Sequence, residues 1–375
     1  MKIGQISHVY PPHIGGLENY ACRLKQSIEH KGNDVTVYTT DMGTSNNMDI
    51  KEKNAIYCKT NFSLLRNPFS FELMKKLKQS NEDIYHLHGY EFLPSLFATK
   101  ILKNKPKVLT QHGAEIESNN FMIYLLNKAY HPFAQYVLEN MDMIIALGKK
   151  DREFLLKSFN LSPDKVKVIP NGIDLDKFKS NDKSNNNFIK RYNLNEDAFR
   201  ILFVSRLIET KNAHKLINTV SKHIKSENIE VIIIGSGDVE YIKQLKAISD
   251  NRIHILGEVC FSDLVSVYNI SDLFVLLGEW GEGMPTAILE AMACGLPILT
   301  TYGGSIPDVI TEGENGLFID VPIDEKKLAE KIKYFMDSDN KKMAEANMVK
   351  VNREFNWELI ADQIYDVYKL VLEEK

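Results

Sequence analysis

Two acidic residues eight positions apart, Glu282 and Glu290, mark the segment of the sequence with the most candidate binding residues. Glu282 precedes, and Glu290 lies inside, a stretch rich in Ala, Met and Leu. The residues that directly follow Glu282 are Gly283, Met284 and Pro285. Because Pro suits a first helical turn and Gly295 suits a C-terminal cap, the sequence predicts a short helix over 286–294. Glu290 then lies among apolar residues and needs hydrogen-bonding partners, such as sugar or ribose hydroxyls, backbone groups or an Arg.

Two cationic residues, Arg206 and Lys211, lie five positions apart, just after a predicted strand. Arg206 follows the apolar run 200–205, and Lys211 comes where a helical pattern begins. They could hold both phosphates of a diphosphate through charge-assisted hydrogen bonds of about 1.5–3 kcal/mol each. The alternative is a pair of solvated surface charges. The position at the carboxyl end of a strand, where open α/β sheets bind ligands, favours the diphosphate.

Two pairs of glycines also follow predicted strands. Gly15 and Gly16 precede a helical pattern that runs to about residue 30, and Gly235 and Gly237 follow the apolar run 229–234. Glycine lets backbone N–H groups approach an anion closely, and a helix N-terminus adds attraction. Tight turns without a ligand explain the same glycines. No G-x-G-x-x-G or GK[ST] motif accompanies the first pair, which argues against a dinucleotide or P-loop site.

Short apolar runs rich in β-branched residues alternate with helical patterns along the chain, and this rhythm predicts parallel sheets covered by helices. At 375 residues the chain is too long for one ordinary core. A polar stretch after residue 178 reads as a linker. We therefore expect two Rossmann-like, doubly wound α/β domains that face a central cleft. The predicted bounds are 1–178 for the N-terminal domain, 179–197 for the linker, 198–355 for the C-terminal domain and 356–375 for a terminal amphipathic helix.

Composition narrows the class of protein. The net charge of −4 argues against a nucleic-acid partner, and the composition is that of a globular protein. The four cysteines are far apart and form no CxxC pair, which fits a reducing cytoplasm. No apolar run approaches the roughly 18 residues of a spanning helix, so we expect a cytoplasmic protein whose membrane contact would be peripheral, on the inner face.

The ordered set of motifs resembles the retaining GT-B glycosyltransferases of family 4. Its members here are Gly15-Gly16, the segment 168–174, Arg206 with Lys211, the segment 235–237, and Glu282 with Glu290. The set spans nearly the whole chain, and the pair of glutamates is its most specific part. The resemblance implies an enzyme of the hexosyltransferase type that takes a sugar from a UDP-, GDP- or ADP-linked donor. It also implies that the C-terminal helix returns to the N-terminal domain.

The same resemblance implies roles for individual residues. Arg206 and Lys211 would bind the diphosphate and stabilise it as a leaving group, Glu282 would bond the sugar hydroxyls, and Glu290 the ribose. His112, after the run 107–111, would contact the donor sugar near the reacting carbon. The remaining donor-binding positions are Gly15, Gly16, Gly235, Gly237, Gly283, Met284 and Pro285. His112 could instead cap a strand, hydrogen-bonded to backbone.

The chemistry implied for these residues needs neither a metal nor a cofactor. No Asp-x-Asp motif stands at a strand end near the predicted cleft, and the two cations could replace a divalent ion. His86 and His88 lack the third ligand of a zinc site. Because both glutamates belong to one side of the site, they cannot flank a glycosidic bond as a hydrolase pair does. The resemblance implies retention through front-face attack.

The acceptor is less closely defined, and a glycan, a lipid-linked sugar or a small molecule would each fit. Residues 69–78 interleave aromatic residues with lysines, and 121–126 form a second apolar stretch. Together with a positive balance of charge in the first 180 residues, they suggest a lipid-linked or membrane-surface acceptor. The resemblance to the family fits a role in envelope or surface polysaccharide synthesis. Two ordinary core-facing helices are the alternative. The rival functions are a GT-B-fold sugar-nucleotide 2-epimerase and a non-catalytic sugar-nucleotide-binding protein.

Overall fold

The chain folds into two compact units in a computed structural model. One unit comprises Met1–Gly172 with Trp357–Lys375, and the other is Ile173–Asn356. The structure describes residues 1–13, 15–44, 52–64, 67–113, 121–179, 186–278 and 283–374, with only the backbone of 121–127 and 186. The domain bounds inferred from the sequence stay a prediction.

The first unit contains a parallel sheet and a separate antiparallel hairpin. Its described strands are β1 (Lys2–Ile6), β2 (Asp34–Thr40), β3 (Ala55–Cys58), β4 (Phe62–Leu64), β5 (Asn67–Phe69), β6 (Ile84–His88), β7 (Lys107–Gln111), β8 (Met143–Ala146) and β9 (Val166–Val168). The sheet has the order β3-β2-β1-β6-β7-β8-β9, and β4 pairs with β5. The strand order reverses between β1 and β6, so the edge where such sheets bind ligands lies at the carboxyl ends of these strands.

Helices connect the strands of this sheet. They are α1 (Gly16–His30), α2 (Phe71–Gln79), α3 (Leu93–Ile101), α4 (Phe121–Glu139) and α5 (Lys149–Ser158). The central strand β6 is buried along its whole length. Full burial is expected of a parallel strand with helices over both faces of its sheet. Successive side chains of β6 alternate between those faces, so His86 and His88 share one face.

The second unit repeats the plan. Its described strands are β10 (Phe199–Val204), β11 (Ile229–Ile234), β12 (Ile253–Gly257), β13 (Leu273–Leu276), β14 (Ile298–Thr301) and β15 (Gly316–Ile319). They form one parallel sheet in the order β12-β11-β10-β13-β14-β15. The reversal falls between β10 and β13, the two strands that lead to the predicted cations and to the two glutamates.

The helices of the second unit complete its core. They are α6 (Asn186–Arg191), α7 (Ala213–His223), α8 (Val239–Ala247), α9 (Phe261–Ile270), α10 (Thr286–Ala293), α11 (Ile306–Val309), α12 (Glu325–Asp337) and α13 (Lys341–Glu354). Helix α6 lies within the range that the sequence marks as linker, and it buries Phe188 and Ile189. Part of that polar range therefore adds apolar residues to the second unit.

The last helix, α14 (Trp357–Glu373), belongs to the first unit. Its buried residues recur at helical spacing, as the sequence predicts: Trp357, Ile360, Ala361, Ile364, Val367, Tyr368 and Val371. The Tyr368 hydroxyl lies 2.5 Å from His86 Nδ1 on β6, and Lys31 Nζ lies 2.6 Å from Asp362 Oδ1. The predicted fold class, two doubly wound α/β units with the terminal helix on the first, is confirmed.

Candidate functional site

Arg206 stands at the carboxyl edge of the second sheet, two residues beyond β10. The residue is exposed, and no ion pair links its guanidinium to another described residue. An Arg side chain presents a planar fork of N–H donors that matches the geometry of phosphate oxygens. The position therefore suits an anionic ligand brought from solution.

Lys211 ends a one-turn helix, Glu209–Lys211, and is only 8% exposed. The next residue, Asn212, has a φ of 56° and begins α7. Its side-chain amide donates a hydrogen bond of 3.0 Å to the carbonyl of Leu277, just beyond β13. This bond ties the loop that carries Lys211 to the end of the neighbouring strand. An ammonium at a buried position attracts a phosphate more strongly than one surrounded by water.

Gly235 and Gly237 pack the loop after β11 against the loop after β10. A Cβ atom on Gly235, where φ is 141°, would lie 1.9 Å from the Ser205 carbonyl oxygen, and one on Gly237 2.2 Å from that of Leu207. The backbone of Leu207 also donates to Ser236 and accepts from Asp238. Close packing therefore requires both glycines, and their predicted role in donor binding stays a prediction.

Helix α10 forms as the sequence predicts, and Gly295 ends it with a φ of 74°. Pro285 is the N-cap, Met284 is buried, and Gly283 precedes both. The first turn contains no acidic residue, so the positive end of the helix dipole is not neutralised by its own side chains. Glu282 lies outside the described residues. The roles of Gly283, Met284, Pro285 and Glu282 remain predictions.

Glu290 has a partner that the sequence does not reveal. The hydroxyl of Tyr268, buried in α9, donates a hydrogen bond of 2.7 Å to Glu290 Oε2. Burial raises the pKa of Glu290 to about 7, and the Tyr268 bond opposes the rise. In the sequence, Tyr268 looks like an ordinary core residue of a helix. Its hydrogen bond to Glu290 is therefore visible only in the folded structure. The bond fixes Oε2, and no hydrogen bond joins Oε1 to another described residue.

Donor binding is expected to weaken at acid pH because of Glu290. Hydroxyl donors of a ribose favour the charged carboxylate, whereas the free protein protonates it below pH 7. Between pH 8 and pH 6 the donor Kd should rise about tenfold. The Tyr268→Phe variant loses a bond that lowers the pKa, so the midpoint should move to higher pH. Calorimetric titrations at several pH values measure both effects.

Tyr192→Phe is the matched control for this profile. The Tyr192 hydroxyl also bonds a carboxylate in the second unit, that of Asp263 at 3.2 Å, and its loss should leave the midpoint in place. A wild-type profile that is flat between pH 6 and pH 8 would show that Glu290 does not accept hydrogen bonds from the donor.

In the first unit, the glycine pair begins α1, with Gly15 as its N-cap. The Glu18 carboxylate lies beside Gly15, where a Cβ would come within 2.2 Å of Oε2, and it pairs with His13 Nδ1 at 2.7 Å. A Cβ on Gly16, in contrast, would meet no described atom within 4 Å. The space beside Gly16 is thus open to a ligand. The N-terminus of α1 already has one carboxylate close to it, that of Glu18.

The Gly16→Ala variant is expected to fold normally and to bind the donor at least about tenfold more weakly. The added methyl group meets no described protein atom, but it would overlap a diphosphate that uses the space, and such overpacking costs about 1–3 kcal/mol. The thermal midpoint and the donor Kd check the two parts. Gly235→Ala should instead unfold at a lower temperature, because its methyl group would overlap the Ser205 carbonyl oxygen. Wild-type donor affinity in the Gly16→Ala variant would show that the donor does not use the space beside Gly16.

His112 follows β7 at the same edge of the first sheet and meets a second imidazole. His88 Nδ1, at the end of β6, lies 3.2 Å from His112 Nε2. Tyr20 of α1 packs its ring edgewise against His112, with centroids 4.7 Å apart. Burial lowers the pKa of both imidazoles well below the usual value, and each neighbouring imidazole adds to this. Both rings are therefore neutral near pH 7 and act through hydrogen bonds.

In the second unit, residues that the sequence predicts to bind a nucleotide sugar follow two neighbouring strands. Exposed Arg206 and buried Lys211 follow β10, and α10, which contains Glu290, follows the neighbouring strand β13. Two cations suit a diphosphate, and a carboxylate can accept hydrogen bonds from sugar or ribose hydroxyls. Two doubly wound units with these residues point to the class of nucleotide-sugar transferases.

Known proteins agree with this class. Residues 184–352 match the family model described as glycosyl transferases group 1, and residues 14–177 match that of Glycosyltransferase Family 4. The chain belongs to this family of glycosyltransferases, as the sequence motifs predict. It is therefore a transferase that uses a nucleotide-sugar donor.

Individual relatives are distant but match over much of their length. An uncharacterised glycosyltransferase of Methanocaldococcus jannaschii is 26% identical over all of this chain and 99% of its own length. The UDP-Gal:alpha-D-GlcNAc-diphosphoundecaprenol alpha-1,3-galactosyltransferase of Escherichia coli is 27% identical over 79% of each. The crystal structure of Anabaena HepE with UDP and glucose superposes with a TM-score of 0.80, at 19% identity over 98% of this chain and 99% of HepE. That similarity confirms the GT-B fold.

Proposed function

We propose that the protein transfers a hexose from a nucleoside diphosphate sugar to a glycan or lipid-linked acceptor during synthesis of an envelope or surface polysaccharide. The observation that carries the proposal is that exposed Arg206 and buried Lys211 both follow β10, whose neighbour in the sheet, β13, leads to α10. These cations neutralise the charge that builds on the departing diphosphate, so the reaction needs no metal ion.

A lipid-linked acceptor has the support of a relative. The Escherichia coli galactosyltransferase is named for a diphosphoundecaprenol-linked sugar as its acceptor, and its similarity covers most of both chains. A polyprenol chain is apolar and lies in a membrane, so we propose that the enzyme works in the cytoplasm and touches the inner membrane surface. The described part of the chain contains no helix that is long and apolar enough to cross a bilayer.

We propose retention of the anomeric configuration, on the strength of the family resemblance. The leaving phosphate takes the proton of the acceptor hydroxyl, and attack occurs on the face from which the phosphate departs. The roles of the site are then positioning and stabilisation of negative charge. The ¹H coupling constant of the new anomeric centre gives the stereochemistry, and an inverted product would refute this mechanism.

Release of nucleoside diphosphate separates the proposal from its rivals. Purified enzyme is given UDP-, GDP- and ADP-sugars in EDTA, with and without membrane lipid extract as acceptor. One nucleotide class should yield diphosphate and glycosylated lipid in equal amounts. A 2-epimerase would interconvert the sugar without consuming an acceptor, and a binding protein would leave the donor unchanged. Loss of all activity in EDTA alone would refute metal independence.

The predicted membrane contact has a surface in the first unit that suits it. Phe62, Leu64 and Phe71 are 56%, 65% and 64% exposed, and the rings of Phe62 and Phe71 each lie 4.8 Å from that of Phe69. Exposed Lys75 and Lys78 follow Phe71 on the same face of α2, four and seven residues on. We call Phe62, Leu64, Phe71, Lys75 and Lys78 the hairpin patch. Apolar side chains beside lysines match an anionic lipid surface.

Flotation with vesicles tests this contact. Wild-type protein should float with vesicles containing anionic phosphatidylglycerol at low salt and stay behind with phosphatidylcholine alone, and Phe71→Glu should reduce flotation. Val349→Glu is the matched control, because Val349 is 64% exposed on α13 of the second unit. Equal flotation of the Phe71 variant and the wild type would show that the hairpin patch does not bind the membrane. No flotation of the wild type would refute the membrane contact itself.

A further inference from the structure

The carboxyl edge of the first sheet holds a pair of imidazoles whose hydrogen bond has one direction. His88 Nδ1 and His112 Nε2 are 3.2 Å apart, so one nitrogen donates and the other accepts. His88 is wholly buried, and its other nitrogen, Nε2, has no partner among the described residues. His112 is partly exposed. The proton on His88 therefore decides which nitrogen of His112 carries a proton.

The unpartnered nitrogen of His88 indicates which of the two imidazoles donates the hydrogen bond between them. If His112 Nε2–H donated, neutral His88 would carry its own proton on Nε2, leaving a buried N–H without an acceptor. If His88 Nδ1–H donates, the unpartnered Nε2 is only a lone pair. A buried donor left without a partner is the rarer and costlier case. The second arrangement is favoured, and it places the proton of neutral His112 on Nδ1.

The surroundings hold both rings in this arrangement. His86, two residues before His88 on β6, stacks on it with centroids 4.7 Å apart. His86 is itself fixed, because Nδ1 meets the Tyr368 hydroxyl and Nε2 meets Thr110 Oγ1 at 2.7 Å. Tyr20 packs edgewise against both His88 and His112. Packed against the rings of His86 and Tyr20, His88 is held where its Nδ1 faces His112.

We propose that His88 is a positioning residue that fixes His112 in the Nδ1–H tautomer, so that His112 offers a hydrogen-bond donor to an oxygen of the donor sugar. This proposal rests on the proposed function, in which His112 contacts the sugar near the reacting carbon. His88 itself touches no substrate. Its effect falls on the transfer step, since the diphosphate-binding cations Arg206 and Lys211 belong to the second unit.

The tautomer can be observed without any substrate. In ¹⁵N-histidine-labelled protein, protonated and unprotonated imidazole nitrogens have well-separated shifts, and the His112 signals are those that disappear in His112→Gln. The wild type should show a proton on His112 Nδ1, and His88→Ala should show a mixture of tautomers. A wild-type His112 protonated on Nε2, or an unchanged tautomer in His88→Ala, would overturn the proposal. If no His88 variant folds, the wild-type spectrum still decides.

Kinetics with two amide variants provide the second arm. The amide of Asn can take the place of Nδ1, whereas that of Gln takes the place of Nε2. His88→Asn should retain most of the transfer rate, while His88→Gln and His88→Ala should lose about 10- to 100-fold in kcat, because the wrong tautomer removes one hydrogen bond from His112 to the sugar. Nucleoside diphosphate affinity should not change. Equal losses in the Asn and Ala variants would contradict the proposal.

The two arms also distinguish this proposal from the proposed function. If His112→Ala transfers sugar at the wild-type rate, the role assigned to His112 fails, yet the spectrum still reports on the His88–His112 pair. If the spectrum shows the Nε2–H tautomer while His112→Ala is inactive, the role of His112 stands and that of His88 fails.

Discussion

The Lys211→Ala variant is expected to transfer sugar at least about 100-fold more slowly than the wild type, the usual cost of removing a preorganised group that stabilises developing charge. Lys211 is 8% exposed and lies in a loop that the bond from Asn212 to Leu277 ties to the end of β13. The backbone that carries the ammonium is therefore held in place before the donor binds. Initial rates of nucleoside diphosphate release at saturating donor measure the loss.

Lys222→Ala is the control for this variant. Lys222 is exposed in the last turn of α7, the helix that begins after Lys211. Its removal takes one positive charge from the same unit without touching the proposed site, so activity should remain. If Lys211→Ala folds and transfers sugar at the wild-type rate, Lys211 does not stabilise the leaving group.

Arg206→Ala is expected to cause a second loss of at least about 100-fold, with only partial recovery in Arg206→Lys. A guanidinium donates two parallel hydrogen bonds to phosphate oxygens, whereas an ammonium acts as a point charge. Because Arg206 is exposed and has no ion pair with another described residue, its removal should not lower the thermal midpoint. The rate of donor turnover and the thermal midpoint are measured on the same preparations.

Arg191→Ala is the matched control for Arg206. Arg191 is also exposed in the second unit, but its guanidinium is paired with Asp263 at 2.7 Å. Such a surface pair contributes little to stability, and its loss should leave catalysis intact. Equal activities of the Arg206 and Arg191 variants would show that Arg206 makes no particular contact that supports the reaction.

Much of the fold follows from local patterns that the sequence displays. Apolar runs and helical periods define the strands and helices within a residue or two, as for β7 and α10. Pro285 and Gly295 give the short helix its limits because their backbone preferences act within the residues themselves. These features depend on neighbours in the chain, which a sequence shows directly.

The contacts that complete the candidate site depend on residues far apart in the chain. Tyr268 meets Glu290, Asn212 meets Leu277, and His88 meets His112 only after the strands have paired. No local pattern marks these partners, since a buried Tyr or His serves equally well in a core. Gly235 shows the same limit, because its sequence context suggests a ligand or a turn, whereas its Cβ position is excluded by the carbonyl of Ser205.

Binding of nucleoside diphosphates in EDTA tests most directly whether Arg206 and Lys211 hold the diphosphate without a metal ion. Calorimetric titrations compare UDP, GDP and ADP on the wild type and on the Arg206→Ala/Lys211→Ala double variant. One nucleotide should bind the wild type in EDTA, and the double variant should bind it at least about 100-fold more weakly, as the loss of two charge-assisted contacts requires. Equal affinity of the two proteins, or wild-type binding that EDTA abolishes, would contradict the account.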